Sequence, residues 1–246
     1  MQTFFDFARP SDDLPLMREQ LRAAFPGYLP HNIREPVGQL LKSMISSRTK
    51  DTVSLRSYEK LVRRYSSWPD LAEAPLAGIE EAIRDVTFAP EKAAHLKEAL
   101  RLIALVSPEF DLSWLRQRPV SQALAWLETL PGVGRKVAAA TLNFSTLAMP
   151  AFVADTHIIR VLGRFGIVGE RADTVAVYDA VMSLAPHWTA HELSEFHVLI
   201  KQLGKTFCRF EQADCQLCPL SENCRFATSR LNARQVGVTR HRSPPA

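Results

Sequence analysis

The first 207 residues of this 246-residue chain contain no cysteine; all four lie between Cys208 and Cys224. A disulfide framework would spread its staples across the fold. Clustering points instead to a metal site and to a reducing, intracellular compartment. Long apolar runs are also missing. None approaches the ~18–20 residues that a bilayer-spanning helix needs, so no membrane partner is expected. Residues Met1 to Pro10 carry an acidic Asp6 and no basic stretch, unlike a secretory signal. Alternating strand patterns and repeats of fixed period are absent, which argues against sheets and solenoids. Acidic residues are missing from the tail 227–246. Its Arg230, Arg234, Arg240 and Arg242 account for the whole net charge of +4. The rest of the chain is balanced, so a nucleic-acid surface must come from local clustering. The tail is then either a phosphate-contacting arm or a solvated end.

What is present is helical. Apolar residues make up 46% and charged residues 23%, the balance of a folded globular chain. Leu14, Met17, Leu21 and Ala24 recur at helical spacing, as do Val37, Leu40, Leu41, Met44 and Ile45 behind Pro36. Asp51, Ser121, Asp155 and Asp173 stand where N-caps are expected. Further helices are expected over 80–86, 90–106, 122–130, 135–146 and 190–207, and Gly166 can close the helix that starts after Asp155. The fold class is all-α, with about ten helices and short loops.

The cysteines are spaced Cys208-x6-Cys215-x2-Cys218-x5-Cys224. Four thiolates in so short a stretch can converge on one centre unaided. Soft sulfur ligands suit an iron–sulfur cluster or zinc, and only one ligand pair is short-spaced, unlike the two pairs of most zinc sites. The loop is otherwise polar, with Arg209, Glu211, Gln212, Asp214, Ser221 and Glu222, and has no apolar means of folding.

A second break is Leu130-Pro131-Gly132-Val133-Gly134-Arg135-Lys136. Its glycines allow a tight turn and the close approach of another molecule. They precede a helix N-terminus, where amide donors favour an anion such as a DNA phosphate. Lys136 sits in that helix's first turn beside Arg135, a poor place for a cation. Dipole and neighbour should both favour the neutral amine, which would make it a usable nucleophile. A phosphate-attracted surface lysine is the plainer reading. Asp155 precedes Thr156-His157-Ile158-Ile159-Arg160. It suits an N-cap, and a carboxylate there could also take a proton or stabilise positive charge on a sugar ring. His157 and Arg160 share a helix face and could hold phosphates.

Together these motifs resemble the endonuclease III family of helix–hairpin–helix DNA glycosylases, over about Leu14 to Phe226. Leu130 to Lys136, Val153-Ala154-Asp155-Thr156-His157, the 6-2-5 cysteine spacing and Met44 to Asp51 carry the resemblance. It implies two helical domains with DNA bound in the cleft between them. A six-helix barrel spans 35–148, with the helix–hairpin–helix at about 122–146. A discontinuous cluster domain covers 1–34 and 149–226, and the basic tail is 227–246. It implies a [4Fe–4S] cluster on Cys208, Cys215, Cys218 and Cys224. It makes Lys136 the nucleophile and Asp155 the essential carboxylate. Gly132, Val133, Gly134, Arg135, Arg48, His157 and Arg160 would bind DNA. The implied enzyme is a monomeric, cytoplasmic, nucleoid-associated DNA N-glycosylase and AP lyase of base excision repair. It would act on double-stranded DNA with oxidised or ring-saturated pyrimidines or abasic sites. Three segments depart from the family. Arg48 stands where glutamine is usual, Thr87-Phe88-Ala89-Pro90 replaces the usual wedge loop, and Glu211 and Asp214 make the first cysteine loop less basic. They set an alternative beside that reading: a glycosylase of the same fold that prefers mismatched or alkylated bases, or a weakly active or non-catalytic protein that binds DNA damage.

Overall fold

The computed structural model describes residues 10–27 and 33–231. Among them are eleven α-helices, a 3-10 segment and a helical stretch over 225–231, with only isolated bridges (Arg34 to Ser145, Cys208 to Ala213) in place of strands. The chain is all-α. No described helix is long and apolar enough to cross a membrane. Most of the tail, including Arg234, Arg240 and Arg242, lies outside the described residues.

Two compact units emerge, one of residues 31–153 with 189–191, the other of 1–30, 154–188 and 192–246. The first extends beyond the 35–148 that the resemblance implies. The reason is local: Arg34 bridges to Ser145, and Asn143 donates to Met149 O at 3.3 Å and Ala190 O at 3.0 Å.

The first unit holds α2 (Pro36–Ser46), α3 (Asp51–Arg64), α4 (Trp68–Glu73), α5 (Leu76–Ala82), α6 (Ala89–Val106), the 3-10 segment (Ser113–Gln117), α7 (Val120–Glu128) and α8 (Arg135–Phe144). α2 lies at its centre, packed on α3, α6 and α8. Nine of its eleven residues are buried, a helix apolar enough to fill a core. Its N-terminus is capped by Glu35, which accepts from Gly38 N at 3.1 Å.

Some elements differ from the sequence pattern. α4 was not expected; its start is set by Ser67, whose hydroxyl accepts from Asp70 N, and by Pro69 in the first turn. The helix expected at 80–86 runs over Leu76–Ala82 because Pro75 opens it. Asp51 and Ser121, expected as caps, lie inside α3 and α7, which start after Lys50 and Pro119.

The second unit holds α1 (Pro10–Ala24), α9 (Thr156–Phe165), α10 (Thr174–Leu184) and most of α11 (Ala190–Thr206), followed by the cysteine loop. α10 packs on α1 and α9. α1 is fastened to α11 through charge. Arg18 pairs with Glu192 at 3.0 Å and Glu195 at 2.6 Å, and Arg22 reaches Glu195 at 3.3 Å. Glu195 is buried; two guanidinium partners offset the cost of desolvating it. Gly166 ends α9 at φ 108, the left-handed closure read from sequence.

Candidate functional site

In the first unit the hairpin between α7 and α8 sets the site. Gly132 has φ +74, and a Cβ there would stand 2.7 Å from His95 Nδ1 of α6. Glycine is therefore demanded twice, by backbone and by contact. Gly134 is different. It is the N-cap of α8 with extended φ, and a Cβ on it would meet nothing. Its open side leaves room for another molecule. Val133 is buried and anchors the turn. No side chain caps α8, so its first amides keep the anion-favouring field expected of them. Lys136 is half-buried in that first turn. Arg135, expected to face phosphate, instead pairs with Glu128 of α7 at 2.5 Å. The pair braces the two helices of the hairpin.

Beside Lys136 the fold places a residue that the sequence reading missed, Lys92 of α6. Only 8% of it is exposed. Its ammonium donates to Ile45 O at 2.8 Å, Ser47 O at 2.6 Å and Thr49 Oγ1 at 3.1 Å. Burial above all, then the charge of Lys136, holds it down at a pKa of about 8, against the opposing Glu91. A signal existed: Lys92 lies three residues after Ala89 and four before Leu96, inside the apolar stripe of α6. Around it stand two turns with non-glycine residues in the left-handed region, Arg48 at φ 53 and Phe88 at φ 59. Both side chains are exposed.

In the second unit Asp155 caps α9. Its Oδ1 accepts from His157 N at 2.8 Å and Ile158 N at 3.1 Å. Oδ2 lies 3.8 Å from Lys201 Nζ. Burial works to raise this carboxyl, but His197, Lys201, the Ile158 amide and His157 outweigh it and hold it below the usual carboxylate range. It is an ionised, mostly buried carboxylate.

His157 and Arg160 are turned inward. Burial, chiefly, pushes the His157 imidazole below its ordinary range, which leaves it neutral near pH 7. Arg160 donates to Cys208 O at 2.9 Å and Gly204 O at 2.8 Å, and contacts His157 Nδ1 at 3.0 Å. The shared helix face read from sequence is real, but its guanidinium binds backbone carbonyls at the end of α11. Such committed donors leave little for a phosphate.

The cysteine loop begins where Cys208 N returns to Leu203 O at 2.9 Å. Arg164, also missed by the sequence reading, holds it in place. Its Nη1 reaches Cys208 Sγ at 3.4 Å and Arg209 O at 2.7 Å, and its Nη2 reaches Phe210 O at 2.8 Å. Its guanidinium also lies over the Phe226 ring, 4.7 Å from the centroid. The four cysteines form no disulfide. Burial raises the thiols of Cys215 and Cys224 and pushes Cys218 up to about 11, and the neighbouring cysteines add to the rise in each. Among the described residues no group of three or more His, Cys, Asp or Glu is arranged to hold a metal ion. The donor chemistry nevertheless fits a soft cation: four sulfurs that act on one another, with the Arg164 guanidinium beside one of them.

Residues 41–187 match the HhH-GPD superfamily of base excision DNA repair proteins. Endonuclease III of Rickettsia felis is 26% identical over 192 residues, 78% of this chain and 84% of that protein. Among solved structures, a trapped endonuclease III–DNA covalent intermediate superposes with a TM-score of 0.74 at 23% identity, covering 94% of this chain and all of that one. A thermostable thymine-DNA glycosylase superposes with a TM-score of 0.71 at 18% identity over 89% of this chain and 98% of its own. Both likenesses establish the fold. With more than half of its length inside the matched region, the chain belongs to the HhH-GPD superfamily of base excision DNA repair proteins.

Proposed function

We propose that this glycosylase is bifunctional, removing oxidised or ring-saturated pyrimidines from double-stranded DNA and then cleaving the strand as an AP lyase. The observation that carries the reading is Lys136, an amine in the uncapped first turn of α8, immediately behind the open Gly134. The damaged nucleotide leaves the stack. The Lys136 amine attacks C1′, the bond to the base breaks, and the base departs with the electron pair. Loss of a proton from nitrogen and opening of the sugar ring give a Schiff base. Removal of a C2′ proton then expels the 3′ phosphate by β-elimination. Asp155, ionised and held by two amides, would stabilise the positive charge that develops on the sugar as the base departs. Gly132, Val133 and Gly134 would shape the phosphate-binding turn, and Arg48 would contact the DNA at the lesion.

Cys208, Cys215, Cys218 and Cys224 would hold a [4Fe–4S] cluster, which would order a loop that has few apolar residues of its own. The enzyme would work as a monomer in the cytoplasm, at the nucleoid. A second reading keeps this chemistry and changes the lesion to mismatched or alkylated bases. The exposed Arg48 and Phe88 favour it, because they stand on the turns that would meet the gap in the stack.

Borohydride trapping tests the chemistry. Wild-type protein should be captured on a duplex with an abasic site or a pyrimidine lesion. Lys136→Ala should lose the adduct and roughly 10³-fold or more of the strand cleavage. An undiminished adduct in that variant would sink the assignment. A panel of lesion duplexes decides between the two substrate readings.

A further inference from the structure

Lys92 has no part in the mechanism above, yet it is a nearly buried lysine with three oxygen partners. All three lie on one short segment, the end of α2 and the turn after it. One of them, Thr49 Oγ1, also accepts from Thr87 N at 3.2 Å. Thr49 thus joins two turns, and Lys92 fixes Thr49. Each turn carries one residue in the left-handed region with an exposed side chain, Arg48 in the first and Phe88 in the second. Phe88 is also the N-cap of α6, four residues before Lys92, and Lys92 N donates to Phe88 O at 3.0 Å.

We propose that Lys92 is a positioning residue whose ammonium locks the Arg48 and Phe88 turns together, so that both side chains are offered to damaged DNA as one preformed probe.

The energetics favour such a role. A non-glycine residue in the left-handed region is strained and persists only where its surroundings hold it. Two such residues in adjacent turns need a common anchor. Hydrogen bonds from a charged donor are the strong kind, and a buried one is hard to replace. Arg48 and Lys50 are the other cations on the tethered turn, both exposed. Lys136 on α8 and Glu91 on α6 are the charges that act on Lys92.

The inference rests on the glycosylase reading, and its test separates the two. Purified holoenzyme would be assayed on two duplexes, one with a paired lesion and one with a preformed abasic site. The probe is needed to open a paired base and matters less where the base is already gone. Lys92→Met should therefore lower excision of the paired lesion at least about tenfold, toward the 10²-fold that an ångström of misplacement costs. Cleavage of the abasic duplex should fall much less. In wild type the ratio of the two rates should decline as pH rises through about 8, where the ammonium is lost. In Lys92→Arg, which stays charged, the ratio should remain flat.

A second readout does not need turnover. A 2-aminopurine beside an uncleavable abasic analogue should brighten on binding wild type and Lys92→Arg, and much less with Lys92→Met. Equal rate ratios and equal brightening in Lys92→Met and wild type would overturn the proposal. A wild type that cleaves neither duplex would overturn the glycosylase reading instead, with the fluorescence still deciding the role of Lys92.

Discussion

The two units secure their functional residues by different means. In the first, the backbone is held by packing. Val133, Val137 and Ala138 are buried, Gly132 fits against His95, and Lys92 is tied to carbonyls of α2 and its following turn. In the second, the cysteine loop is held by cations. Arg160 and Arg164 between them bond the backbone carbonyls of Gly204, Cys208, Arg209 and Phe210. Phe210 and Leu217 point out of that loop, 78% and 69% exposed. Apolar burial organises the hairpin that carries Lys136, whereas the loop has polar ties and four thiols. The first should keep its shape alone. The second should depend on what its sulfurs bind.

Cysteine replacement should break that contrast most severely. If the four thiols hold the proposed cluster, Cys218→Ala should lose bound iron and destabilise the second unit by roughly 5 kcal/mol or more, since binding energy at such sites is folding energy. Hydrogen exchange should rise across residues 208–231 and α9, and the amides of α2 and α8 should keep their protection. Uniform loss of protection would mean that the two units do not differ in this way.

The hairpin offers an internal control. Gly132→Ala meets both a positive φ and the His95 ring, and should cost about 2 kcal/mol by denaturant unfolding. Gly134→Ala has open space and extended φ, and should stay within about 0.5 kcal/mol of wild type. If Gly134 faces DNA as proposed, the same variant should weaken duplex binding. Wild-type affinity would show that its open side meets nothing.

The smallest effects separate the structural and chemical roles of Asp155. Asp155→Ala should cost about 1 kcal/mol through the lost cap of α9. Asn keeps the cap but not the charge, so at neutral pH Asp155→Asn should lose less stability than Asp155→Ala, only the part that depends on ionisation, while lowering excision. The pH dependence has a defined sign. The folded-state carboxyl is held below its usual range, so its stabilisation is complete above the ordinary carboxylate pKa. It is lost as pH falls through the lower folded value. Thermal melts below about pH 4 should therefore converge for wild type and Asp155→Asn.

The sequence alone determined the helical class, the hairpin, the cap at Asp155 and the clustered thiols, because each is a local pattern. Stripes recur at helical period, a Pro-Gly-x-Gly turn interrupts them, an aspartate precedes a helix, and four cysteines fall close together. Local reading also misjudged some starts, as at Leu76, where Pro75 fixed the helix earlier than its apolar residues suggest. Only the tertiary structure decided which charges face where. Arg135 and Arg160, which the resemblance assigns to DNA, are paired with Glu128 and with backbone carbonyls. Lys92, hidden within an apolar stripe, joins segments more than 40 residues apart in sequence. Helical period gives the face on which a side chain lies. Whether a cation there meets water, DNA or a buried carbonyl depends on what another element brings beside it, and that information is not local.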